Sequence, residues 1–101
     1  MKKPNPFDIE RLERENAEAE AKARALQKQY EEDLAETVRS RASRHIIWSW
    51  LQRYGLNADT FDTNAMMMSR KSGARLVVLE IAAEIRAAHP KEFAMMEAEN
   101  A

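Results

Sequence analysis

The sequence contains no cysteine, so disulfides, thiolate metal sites and cysteine nucleophiles are all excluded. The lack of cysteine also suits a reducing cytoplasm. Glycine occurs only twice and proline three times, too few turn residues for a strand-rich fold. Neither charge sign dominates. Sixteen basic residues meet seventeen acidic ones, a net charge of −1, and general nucleic-acid or anionic-membrane binders usually carry a strong basic excess. No long hydrophobic run is present: the longest, Leu76 to Ala83, is interrupted by Glu80 and is too short to span a bilayer. The N-terminal Met1-Lys2-Lys3-Pro4-Asn5-Pro6-Phe7 is positively charged with no apolar stretch behind it, so no secretory signal is expected, and the protein is read as soluble. No Gly-rich phosphate loop and no Ser-His-Asp order appears.

What remains is a helix-forming composition. Between Phe7 and Tyr54 there is no glycine and no proline, and Asp8 to about Glu36 is dense in Glu, Ala, Lys and Arg. Asp8 and Glu10 suit a helix N-terminus through the dipole. Ile9, Asn16, Ala23 and Tyr30 recur at one seven-residue spacing, and Leu12, Ala19 and Leu26 at the other, an a/d seam of about three heptads. Asn and Ala thin this seam, so the arm is expected to lie on a partner or to project partly exposed. At Leu34 and Val38 the pattern shifts by four residues, a stutter that marks the change from arm to globular part.

A second helix is expected from about Ser40 to Tyr54, ended by Gly55 in the left-handed conformation with Leu56 closing back on Leu51. A polar loop follows, with Phe61 as its expected anchor and Asp62, Thr63 and Asn64 as N-cap candidates. The third helix runs from about Ala65 to Ala88. Leu76, Leu79 and Ala83 form one face and Val78, Ile81 and Ile85 the opposite one, so this helix reads as the centre of a bundle. Leu76, Leu79, Ile81 and Ile85 are expected to be among the most buried residues, with Leu79→Ala costing about 2–5 kcal/mol. Pro90 ends that helix and starts a short last one with Phe93 and Met96 inward. The expected fold is therefore all-α, with a long N-terminal helical arm followed by a small helical bundle. It divides into a tail at 1–7, a charged arm at 8–39 and a helical domain at 40–101.

The stretch from Arg41 to Asn100 resembles a family of small phage proteins named from a Bordetella phage gene product. The matching order is Ala42-Ser43-Arg44-His45-Ile46-Ile47-Trp48-Ser49-Trp50-Leu51, Gly55-Leu56, Phe61-Asp62-Thr63-Asn64-Ala65, Gly73-Ala74-Arg75 before an apolar helix, and Pro90 followed by Met95, Met96 and Glu99. The family often shows Gly-Arg-Arg where this chain has Ala42-Ser43-Arg44. The resemblance implies a helical protein encoded among phage head and tail structural genes, with no catalytic activity. The arm lies outside it.

Individual residues carry two readings each. Arg44 and Arg75, which the family pattern retains, are expected to form a structural ion pair with Glu80 or Glu84, the alternative being a partner contact. Gly73, inside a helical pattern, points to close approach of another helix, the alternative being a hinge. Trp48 and Trp50 lie on different sides of a helix, so one can be core while the other faces a partner. Met66-Met67-Met68 point around most of a helix, so some should fill core and at least one should meet a partner. His45 and His89 are given structural roles, neither being read as having a metal-site partner three or four residues on. Arg39, Arg41 and Arg44 could touch phosphates, but Glu31, Glu32, Asp33 and Glu36 just upstream favour a solvated face.

The expected partner contacts are thus Trp48, Met66, Met67 and the seam residues Ile9, Leu12, Leu26 and Tyr30, with Arg44, Gly55, Gly73 and Arg75 as structural positions. The expected function is that of a non-enzymatic structural or assembly protein of a tailed phage, in the virion or its head-to-tail region and made in the host cytoplasm. It would contact phage structural proteins or further copies of itself, and no cofactor, small-molecule substrate or membrane is implied. The alternatives are a nucleic-acid-binding module using the Arg39–Arg44 face and a transient scaffold-like assembly factor.

Overall fold

The computed structural model describes residues 5–101 and contains four helices: α1 (Pro6–Arg39), α2 (Arg41–Arg53), α3 (Ala65–Ala88) and α4 (Pro90–Glu99). No strand occurs among the described residues. The all-α expectation holds, as does the order of a long helix followed by shorter ones. Of the expected tail at 1–7, Pro6 and Phe7 already belong to α1, and residues 1–4 lie outside the described part.

The chain divides into two units, Met1–Leu34 and Ala35–Ala101. In the first, the helix opens with Asn5, whose side-chain oxygen accepts the Phe7 N–H at 3.1 Å, and with Pro6 in the first turn, where a missing N–H is no loss. Residues 5–33 are exposed throughout. The second unit begins with the last turn of α1, where Val38 is completely buried, so the division falls one turn before the expected boundary at residue 40.

Within the second unit the expected stops form. Ser40 separates α1 from α2, and its hydroxyl accepts the Ser43 N–H. After α2, Gly55 takes φ +103°, Leu56 N–H bonds the Leu51 carbonyl at 2.9 Å and Gly55 N–H bonds Gln52 at 3.3 Å. These two bonds are the Schellman pair, which satisfies the last carbonyls of the helix. Of the three N-cap candidates Asn64 serves, accepting the Met67 N–H at 3.1 Å. Pro90 starts α4, where Phe93 and Met96 are buried.

The core differs from the expectation. The buried apolar residues are Val38, Leu51, Leu56, Val78, Ala82, Ile85, Phe93 and Met96. Only Ile85 of the four residues expected deepest is among them: Leu76 is 59% exposed, Leu79 38% and Ile81 40%. The short α4, not α3, is the central element, packing on both α2 and α3. A helix of ten residues is only about 15 Å long and covers one strip of its neighbour. That strip is Val78, Ala82 and Ile85, and the remaining apolar sides of α3 stay uncovered on this chain.

Candidate functional site

Arg44 is the one buried charged residue among the described residues, and its place in the fold is structural. Its Nη1 donates to the carbonyls of Val38 at 2.9 Å and Arg39 at 2.7 Å, and its Nε and Nη2 reach the Glu99 carboxylate near the end of α4. One guanidinium thus caps the orphan carbonyls at the α1 C-terminus and ties the two ends of the unit together. The hydrogen bond from Arg44 holds the Glu99 carboxyl below its ordinary range, and the same bond raises Arg44. The expected partners Glu80 and Glu84 are therefore corrected to Glu99, which is 55 residues away in sequence. Arg75 likewise serves the backbone: its Nε donates to the Gly55 carbonyl at 3.2 Å and its Cβ lies 3.6 Å from where a side chain at Gly55 would begin.

Gly73 is not a point of close approach. A Cβ placed there meets nothing within 4 Å. Phe61 is no anchor either, being largely exposed. Its loop is held by polar turns: Asp59 accepts the Phe61 N–H at 2.9 Å, and Asp62 accepts the Asn64 N–H at 2.8 Å and the Lys71 ammonium at 2.9 Å. These bonds lower the Asp62 pKa, the Asn64 N–H contributing most and Lys71 next.

The histidines make local contacts. His45 Nδ1 faces Asn100 Oδ1 at 3.3 Å in a cleft of about 520 Å³ that Arg41 and Glu99 also line. His89 does have a carboxylate three residues on, contrary to the expectation: Glu92 lies 4.0 Å away. That is a pair only, and no group of three His, Asp or Glu positioned for a metal ion occurs among the described residues. No helix among them is long and apolar enough to cross a membrane. The solvated face expected of Arg39, Arg41 and Arg44 holds for Arg39, which pairs with Glu36 at 2.8 Å at the surface, and for the exposed Arg41, but not for Arg44, which is turned inside.

What the surface offers instead is apolar. Ile46 and Trp50 of α2 and its C-cap residue Tyr54 are 48%, 52% and 50% exposed and follow one another at four-residue steps, a ridge along the helix and its end. Thr37, Ala42, Ser43, Ile46, Ile47 and Trp50 line a groove of about 300 Å³. Beyond Tyr54 a cleft of about 430 Å³ opens, bordered by Arg53, Arg70 and Lys71 with one carboxylate, Asp59. The exposed tryptophan is thus Trp50, whereas Trp48 is half-buried. A sequence signal for this exists. The stop at Gly55 turns Leu51 inward, and Arg44, Trp48 and Leu51 share one strip at spacings of four and three, leaving Trp50 outward.

The other expected contacts lie at the surface. Met66 is the most exposed methionine among the described residues, and Met67, Met68 and Met95 are exposed as well, while Met96 is core. Ile9, Leu12, Leu26 and Tyr30 are all exposed along α1, and Leu76, Val77, Leu79 and Ile81 along α3. Three helix faces therefore present apolar residues to solvent on one small chain. Compared with protein-family models, curated proteins and solved structures, the chain matches none.

Proposed function

We propose that this chain is a non-enzymatic structural or assembly component of a tailed phage, acting by helix-mediated contacts with other protein chains in the virion or at its head-to-tail region. The observation that carries the binding role is the set of exposed apolar tracks: Ile46–Trp50–Tyr54 on α2, Leu76–Leu79 on α3 and the Ile9–Leu12–Leu26 seam on α1. Contiguous exposed apolar surface marks interaction sites, and Trp and Tyr are favoured anchors of such sites. The phage setting rests on the ordered motif between Arg41 and Asn100 and on the family it resembles. Two of the charged side chains in the clefts support a non-catalytic role, since Glu99 is held by Arg44 and Lys71 by Asp62.

Mass spectrometry of purified phage particles tests this reading. The chain is expected at a fixed copy number per particle. Presence in precursor particles and loss from mature ones would assign it to transient scaffolding, and absence from both would overturn the reading. A nucleic-acid-binding role would show itself by affinity that falls steeply with salt, whereas apolar contacts are nearly insensitive to salt.

A further inference from the structure

The acidic character of the arm and the cationic border of the α2 ridge point to each other. Residues 6–34 carry nine acidic and five basic side chains, a net charge of −4. The acids are not spread evenly. With Ile9 and Leu12 at the a and d positions, the flanking e and g positions of the first two heptads are Asp8, Glu13, Glu15 and Glu20, all carboxylates. This pattern opposes parallel pairing of two arms. In a parallel pair, Asp8 would face Glu13 and Glu15 would face Glu20. In the antiparallel pair that matches Ile9 with Leu26, Glu13 would face Glu20 while Glu15 would face Lys22, so repulsion on one flank is offset on the other. Arg11 lies 4.0 Å from Asp8 and 3.9 Å from Glu15, and Arg24 lies 3.9 Å from Glu20, all at the surface, so the arm's own arginines meet part of this charge and the net acidity remains. An apolar seam with that acidic excess fits an apolar surface with a cationic excess.

The α2 ridge has that chemistry. No Asp or Glu occurs between Arg41 and Arg53. The ridge of Ile46, Trp50 and Tyr54 meets the apolar groove and runs into the cleft lined by Arg53, Arg70, Lys71 and Asp59; Lys71 is held by Asp62, and Arg53 and Arg70 outweigh Asp59 there. We propose that the acid-flanked first half of α1 from a second copy seats on the Ile46–Trp50–Tyr54 ridge of α2, so that two copies exchange arms. Such an exchange closes by two-fold symmetry, each copy giving one arm and receiving the other. α1 is about 51 Å long. The proposal rests on the reading of the chain as a helix-mediated binder and names its partner as a second copy.

The absence of cysteine makes the test direct. Two full-length variants, Leu12→Cys and Tyr54→Cys, are mixed under mild oxidation and the products resolved by mass. The expected product is a mixed disulfide joining the two variants, in excess over either self-linked dimer. Trp50→Ala placed in the Tyr54→Cys chain should reduce it at least tenfold, with the circular dichroism spectrum unchanged because Trp50 lies at the surface. Reversing Arg53→Glu with Arg70→Glu should also reduce it, and Glu13→Arg with Glu20→Arg in the other chain should restore it. Self-linked Leu12→Cys dimers as the main product would overturn the proposal in favour of arm-on-arm pairing. A disulfide that forms only within a doubly substituted chain, at every dilution, would overturn it in favour of an arm lying on its own chain. No mixed product at all, with the chain still present in purified particles, would also overturn it and leave the wider binding role standing.

Discussion

Leu51 and Leu79 are the same residue type in neighbouring helices, and the structure assigns them opposite energetic weight. Leu51 is 2% exposed beneath the Gly55 stop, whereas Leu79 is 38% exposed on an uncovered side of α3. Leu51→Ala removes three buried carbon groups, about 2.4 kcal/mol at about 0.8 kcal/mol each, and a partial cavity raises this to about 3 kcal/mol. Leu79→Ala loses only the buried share of its transfer energy and leaves no enclosed cavity, so about 1 kcal/mol is expected. For a unit of this size, about 1 kcal/mol corresponds to about 4–8 °C, so Leu51→Ala should lower Tm by about 12–24 °C and Leu79→Ala by less than half of that. Because such units are stable by only about 3–10 kcal/mol, Leu51→Ala should remove about a third or more of the total. Thermal and urea unfolding followed by tryptophan fluorescence reads this unit selectively, since Trp48 and Trp50 both belong to α2. The comparison is made at protein concentrations low enough to keep the chain monomeric. Equal losses there, or a larger loss for Leu79→Ala, would refute the argument that α3 buries only its Val78–Ala82–Ile85 strip.

Gly55→Val should destabilise by about 1–2 kcal/mol in urea unfolding, more than Gly55→Ala, because a β-branched residue is forced into φ +103°. A value near zero would mean that the stop can rebuild without a left-handed residue. The Arg44–Glu99 pair predicts acid sensitivity. Glu99 has its folded pKa lowered by Arg44, so its contribution is complete above the usual glutamate value of 4.5 and is lost as pH falls through the lowered folded value. Thermal melts across that window should fall more steeply for the native chain than for Glu99→Gln, and identical slopes would remove the pair from the account. In dilute solution the amides of residues 8–30 should exchange far faster than those of Val78–Ile85 and gain protection on self-association. Equal protection in the monomer would mean that the arm is ordered by its own chain.

Local chemistry made much of the secondary structure legible. Asn64 as an N-cap, Gly55 as a left-handed stop and Pro90 as a helix breaker act within a few residues of themselves, so the bounds of α3 and the inward placing of Phe93 and Met96 could be read directly. The candidate site was less legible. The seam on α1 and the exposed Met66 and Met67 follow from spacing and crowding on one helix. The choice between Trp48 and Trp50 needed the inward direction of Leu51, a signal present in the sequence but carried by the turn beyond it.

Composition and spacing by themselves determined the fold class, the helix ends and the absence of cysteine chemistry, because helix propensity, capping and backbone stereochemistry are short-range. The tertiary structure decided which strip of α3 is covered, since periodicity marks apolar faces but not how much neighbouring chain exists to cover them. It also decided the partner of Arg44. A guanidinium joining the end of α1 to Glu99 is a contact between positions 55 residues apart, and nothing near Arg44 in sequence encodes which carboxylate the packing of α4 will deliver.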